Sequence, residues 1–274
     1  MAALLVLYVI AGIAKGYAQN DEDAFGKGVK YVNKGMYDEA IAECGKALDL
    51  NPNDDQASFN RGCAYVAKGD YDRAIADYSQ AIRLNPKYDK AYYNRGVAYF
   101  SKGLNAQAIA DYTKAIELNP SYENAYFNRG LTYHDKGSLD EAIADYTKTI
   151  ELNPKQAEAY ENRGIAYHDK GFYDPAIVDF TTAVQLDPHY AEAYLNRGVA
   201  YAHKNSCDQA IPDFSKVIEL NPNNIKAYNY RGYSYLLCKE YDKAWEDVHK
   251  IEALGGEVKS ELLEELKTAS GREK

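Results

Sequence analysis

The chain has 274 residues, 41 of them acidic and 32 basic, for a formal net charge of −9. No run of lysine or arginine interrupts that acidity, so sequence-independent binding to nucleic acid, which depends on neutralising phosphates, is not expected. The 27 tyrosines recur mostly at fixed intervals, as packing residues do, and the four cysteines fit either an oxidising or a reducing compartment.

Residues 1–20, MAALLVLYVIAGIAKGYAQN, stand outside the pattern of the rest. The apolar run from Ala2 to Ala14 is too short for a membrane-spanning helix and close to the length of a signal-peptide core, and Ala18 closes a small-residue cleavage site. These residues are expected to be a signal peptide cut after Ala18, with the mature chain exported and without a membrane span. The alternative is a loose leader on a cytoplasmic protein.

From residue 21 onward the sequence is periodic. Pro52, Pro86, Pro120, Pro154, Pro188 and Pro222 lie 34 apart, each after Asn or Asp. Proline cannot continue a helix and asparagine tolerates the left-handed conformation, so each pair marks a helix stop. Seven repeats follow, 21–54, 55–88, 89–122, 123–156, 157–190, 191–224 and 225–258. Small and apolar residues at places 3, 4, 8 and 11 and at 20, 21, 24, 27 and 28 of each repeat predict two amphipathic helices joined by a tight turn at KG. Asp38, Asp72, Asp140, Asp174, Asp208 and Asp242 are expected to cap the second helices, with Pro175 at a first helical position and Pro212 deeper inside. Glycine at place 8, from Gly28 to Gly232, costs about 1 kcal/mol each against alanine, so it must serve a close crossing with the alanine at place 20. Ser260 to Ser270 reads as a final helix with Leu262, Leu263 and Leu266 on one face.

This spacing of glycine, tyrosine, alanine, aromatic, alanine and proline resembles the tetratricopeptide repeat over about residues 21–258. The resemblance implies an all-α fold: a right-handed α-solenoid of seven helix-turn-helix units with a C-terminal capping helix over 259–274. It departs at the ends, where Cys44 replaces an aromatic, Trp245 an isoleucine, and Gly255-Gly256 the Asn-Pro stop.

Place 7 holds Lys27 and then arginine from Arg61 to Arg231, while place 23 on the second helix holds Glu43 and then aspartate from Asp77 to Asp247. Antiparallel pairing brings the two places level, so an ion pair inside each repeat is expected in preference to a basic stripe for an anionic ligand. No phosphate loop, zinc motif or serine elbow occurs, and neither enzyme activity nor a cofactor is expected. His134 with Asp135, His168 with Asp169, and His203 form a row, but four converging metal ligands are not evident. Cys207 and Cys238 lie at one level of adjacent repeats and could pair in an exported protein; free thiols are the favoured reading. Cys44 and Cys63 are expected to be unpaired.

The resemblance further implies that the first helices line a concave groove, exposing places 2, 5, 6, 9, 12 and 13. The basic clamp by which some members of the family hold acidic tails is missing at Phe59 and Cys63, Tyr93 and Val97, and Phe127 and Leu131. Instead Phe25, Phe59, Tyr93 and Phe127 predict an aromatic N-terminal half, and Asp135, Glu158, Glu161, Asp169 and Glu192 an acidic C-terminal half. Asn60, Asn94, Asn128, Asn162 and Asn196 form an amide row, similar to asparagine ladders that hold an extended backbone. The expected role is a non-catalytic scaffold binding a partner peptide with apolar and basic residues; a self-associating assembly module or an accessory subunit of an enzyme complex is the alternative.

Overall fold

The structure is a computed structural model that describes residues 30–32 and 34–272. The leader, Phe25, Lys27 and Gly28 lie outside the described residues. Residues 30–32 are helical, and fourteen further helices follow. They are α1 (Tyr37–Leu50), α2 (Asp55–Ala67), α3 (Tyr71–Leu84), α4 (Asp89–Ser101), α5 (Asn105–Leu118), α6 (Glu123–Asp135), α7 (Leu139–Leu152), α8 (Ala157–Asp169), α9 (Tyr173–Leu186), α10 (Ala191–His203), α11 (Cys207–Leu220), α12 (Ile225–Leu237), α13 (Tyr241–Ala253) and α14 (Ser260–Ser270). The described residues contain no strand. They form two compact units, one up to Ser138 and one from Leu139, with the division inside the fourth repeat.

The helices start and stop where local chemistry requires. The first helix of the second repeat ends with Gly69 at φ +76, whose N–H bonds Val66, while Asp70 N–H reaches back to Tyr65. That pair of bonds satisfies two orphan carbonyls. Asn205 and Lys239 hold the same left-handed position in the last two turns. The aspartates expected as caps sit two residues beyond the cap position: α3 starts at Tyr71, and its cap is Asp70, which accepts from Arg73 N–H. Asp38, Asp72, Asp140 and Asp174 instead accept the lysine that precedes the left-handed turn residue one repeat later: Lys68, Lys102, Lys170 and Lys204. These are exposed pairs and add little stability. Pro175 is the third residue of α9, not the first, a place whose N–H still has no helical acceptor. Pro212 is the sixth residue of α11 and removes one bond there.

At the last of these junctions Cys238 occupies the lysine's place, and it is bonded to Cys207 with Cα atoms 5.9 Å apart. This overturns the expectation of free thiols: Cys207 precedes the aspartate place by one residue, and the junction that pairs aspartate with lysine elsewhere brings the two cysteines close enough for a covalent link. Cys44 and Cys63 are free and buried, and burial pushes both thiols up to about 12.

The recurring arginine is consumed inside the stack. In the first unit Arg61 and Arg95 each donate Nε and Nη2 to both oxygens of Asp77 and Asp111, at 2.7–2.8 Å. In the second unit Arg163, Arg197 and Arg231 grip Asp179, Asp213 and Asp247 in the same way. The remaining Nη1 donates to a hydroxyl of the preceding repeat, as from Arg95 to Ser79, Arg129 to Thr113 and Arg231 to Ser215. Tyrosine rings flank the planar group: Tyr92 and Tyr99 lie 5.7 and 5.8 Å from the Arg95 guanidinium, within cation–π range. The carboxylate contacts hold the Arg163 and Arg197 guanidiniums above their usual range against the opposing effect of burial.

The place-8 glycine makes room for a ring more than for the alanine. A Cβ on Gly62, Gly96, Gly164 or Gly198 would fall 2.7–2.8 Å from Tyr78, Tyr112, Phe180 or Phe214, which are fully buried at place 24. Overpacking there costs more than the helix propensity a methyl adds. Within each unit, first helices of successive repeats approach one another at their Cα atoms, α2 with α4, α4 with α6, α8 with α10 and α10 with α12. Second helices of successive repeats do not, so the first-helix side is the tighter one. At the C-terminus α14 closes the stack with Leu262 and Leu266 buried against Ala244, Trp245 and Val248.

The ion pair lends itself to a double-mutant cycle. Arg95→Leu strands a buried carboxylate and should destabilise by about 3–5 kcal/mol, whereas Arg95→Leu with Asp111→Leu should recover much of that loss. Urea melts of the two single variants and the double variant measure the coupling; independent, additive losses would show that the pair is not a unit.

Candidate functional site

The face formed by the first helices differs between the two units. In the first unit it is packed. Phe59 is 2% exposed and Tyr93 4%, contrary to the exposed aromatic row expected at place 5. Each ring turns inward between the place-24 ring and the tyrosine that ends the same repeat: Phe59 lies 5.7 Å from Tyr78 and 4.9 Å from Tyr88, and Tyr93 lies 5.9 Å from Tyr112 and 4.8 Å from Tyr122. Phe127 is half-buried. Asn60, Asn94 and Asn128 are buried as well. Asn60 and Asn94 donate to carbonyls one turn back, Gln56 and Lys90, at 2.9 Å, and Asn128 donates to the Tyr93 hydroxyl at 2.8 Å. The first two amides are thus satisfied within their own helices, and Asn128 ties its helix to that of the preceding repeat.

In the second unit the face opens. Asn162 and Asn196 are half-buried, with Asn162 donating to the Glu158 carbonyl at 2.8 Å. Place 5 of the fifth repeat is Glu161, 7% exposed. Its carboxylate accepts from the Tyr190 hydroxyl and from Asn196 Nδ2. Burial pushes this carboxyl above the ordinary range, Glu192 and Glu158 add to the shift, and the bonds from Tyr190 and Asn196 oppose it. Tyr190 is pushed up in turn, by burial and by the Glu161 charge. No ion pair engages Glu158, Glu161 or Glu192 among the described residues.

Further along this face lies a cavity of about 420 Å³ lined by Val199, Ala202 and His203 of α10, Tyr230, Tyr233 and Leu237 of α12, and Lys259 and Leu262 at the start of α14. Sequence reasoning missed it because it needs the capping helix as a wall. Of the histidine row, His203 stacks on Tyr173 with centroids 5.1 Å apart, and His168 lies 5.1 Å from His203 with its ring tilted; His134 belongs to the first unit. The described residues hold no cluster of three or more metal-ligating side chains, and none of their helices is long and apolar enough to cross a membrane.

Models of the TPR repeat match residues 62–103, 98–137, 130–171 and 166–205, and models of the tetratricopeptide repeat match 25–54, 43–76, 191–224 and 214–246. The chain belongs to the tetratricopeptide repeat family. Among solved structures, MamA is 32% identical with a TM-score of 0.58, the match covering 64% of this chain and 99% of that one. YrrB, described as a TPR protein with an unusual peptide-binding site, is 26% identical with a TM-score of 0.60 over 67% of this chain and 95% of its own. A tetratricopeptide repeat protein from Parabacteroides merdae is 25% identical with a TM-score of 0.63, covering 90% of this chain and 97% of that one. No curated protein matches the sequence.

Glu161 supplies a pH test. Its folded-state carboxyl is raised, so the native state carries a desolvation penalty that is fully present above the folded pKa and absent below the unfolded value of about 4.3. Glu161→Gln should therefore raise stability by about 1–2 kcal/mol at pH 7, with the difference from wild type shrinking as pH falls to 4. Thermal melts across that range check it, and a variant less stable at pH 7 would show the carboxylate to be a net structural asset.

Proposed function

We propose that the protein is a non-catalytic interaction scaffold that holds an extended segment of a protein partner on its first-helix face. The observation that carries this reading is the open face of the second unit, where half-exposed Leu195, Val199 and Tyr233 and exposed Leu237 flank a cavity. Family membership and the peptide-binding description of YrrB support it. Elsewhere the recurring charges are spent on the fold, arginine on aspartate and lysine on aspartate. Of the asparagine row, Asn162 and Asn196 are the members a ligand backbone reaches, while Asn60, Asn94, Asn128, Phe59 and Tyr93 belong to the packing of the first unit.

A photo-crosslinking amino acid at Leu195, compared with one at Val178 on the second helix of the preceding repeat, tests this in the native host. Discrete adducts with another protein are expected from the Leu195 probe, reduced by Asn162→Ala, whose amide bonds only a carbonyl of its own helix, at a nearly unchanged melting temperature. Equal labelling from both positions would refute the groove, and adducts of the chain with itself would favour self-association.

We read the mature protein as exported. The Cys207–Cys238 bond suits a compartment in which disulfides persist, and the leader suits a secretory signal. Intact mass of protein from the native host should place the mature start at Gln19; a chain beginning at Met1 would overturn this.

A further inference from the structure

We infer that the cavity between the sixth repeat, the seventh repeat and α14 is an anchor pocket for a bulky apolar side chain of the partner, with a lysine or arginine two residues away in the ligand lying against Glu158, Glu161 and Glu192. This rests on the scaffold reading and deepens it by naming the ligand chemistry.

The walls decide the first half. Val199, Ala202, Tyr233, Leu237 and Leu262 supply apolar surface, and the polar groups that line the cavity are largely engaged by the protein. Asn229 donates to the Ile225 and Glu257 carbonyls and accepts from Lys259 N–H. The Lys259 ammonium lies 4.4 Å over the Tyr230 ring, and His203 is stacked on Tyr173. What remains for a ligand is contact with aromatic and aliphatic surface, with Asn205 and Glu261 as the rest of the polar lining. A volume of about 420 Å³ lies within the range of about 300–1,000 Å³ of pockets that enclose small ligands, which is ample for a leucine or aromatic side chain and its backbone.

Charge decides the second half. The three glutamates on this face have no cation partner, and Glu161 is ionised only against the cost of burial. A cation brought against it would offset that cost, whereas an acidic ligand would add to it. The spacing follows from the bond between Glu161 and Asn196: Val199, on the cavity wall, is three residues beyond Asn196 on α10, about 5 Å along a helix axis. Residues two apart in an extended peptide point to the same side about 7 Å apart, so one strand can place its cation at Glu161 and its apolar side chain in the pocket.

Selection of random 12-residue peptides displayed on phage against the full oxidised chain, followed by fluorescence anisotropy on a synthetic consensus peptide, tests the assignment. The expected consensus pairs leucine or an aromatic residue with lysine or arginine at a spacing of two. Leu237→Glu, at an exposed position, and Ala202→Trp, which fills the cavity, should each weaken binding at least tenfold. Glu161→Gln should weaken the basic peptide but not a version carrying glutamine in place of its cation. An acidic consensus, or affinity unmoved by both cavity substitutions, overturns the pocket and leaves the scaffold reading standing; no enrichment over a protein-free control defeats both. Sedimentation showing dimers that Leu237→Glu dissociates would make the occupant a second copy and overturn the assignment to a partner peptide.

Discussion

The bidentate contact between arginine at place 7 and aspartate at place 23 is the constraint on which the rest depends. It is made within a repeat, yet the third guanidinium nitrogen reaches a hydroxyl of the repeat before, so one side chain fixes both the pairing of its own helices and the register of the stack. A lysine could supply the charge but not the planar fork that meets two oxygens and a hydroxyl at once. The flanking tyrosines complete the enclosure, and their number follows from the repetition of this one motif.

That lattice explains why the two units treat place 5 differently. With arginine directed to the second helix and the place-24 ring filling the space over glycine, the place-5 side chain falls between its own second helix and the end of its own repeat. Phe59 and Tyr93 bury there comfortably. Glu161 is held in the same slot by Tyr190 and Asn196, and keeps its charge only against the low polarity around it. A carboxylate in a position built for a ring is a local conflict within a consistent pattern, and such conflicts concentrate at functional sites.

Much of the fold was legible because repetition averages out local ambiguity: the period, both helices of each repeat, the ion pair and the closing helix all follow from residues recurring 34 apart. The hydroxyls at Ser79, Thr113, Thr147, Thr181 and Ser215 carry the same periodic signal, but their meaning appears only when the third guanidinium nitrogen is seen to need an acceptor. The aspartates at 38, 72, 140 and 174 read as caps in the sequence because a cap and a second helical residue differ by only two positions, while the lysine that claims them lies 30 residues away. The candidate site was less legible. Whether a side chain at place 5 or 6 faces solvent depends on ring packing from a distant part of the repeat, and the cavity depends on α14, which lies outside the period.

The link between Cys207 and Cys238 alters how the C-terminal end of the second unit can come apart. A linear stack held by neighbour contacts frays from its ends, each terminal repeat peeling away at little more than the loss of one interface. Here the second helix of the sixth repeat and the first helix of the seventh are enclosed in a single covalent loop. Tension applied at the C-terminus passes at Cys238 into the backbone at Cys207 and bypasses the interface between them. Detachment of α14 therefore need not unzip the repeats behind it, and a thiol reductant would turn a clamped boundary into a fraying one.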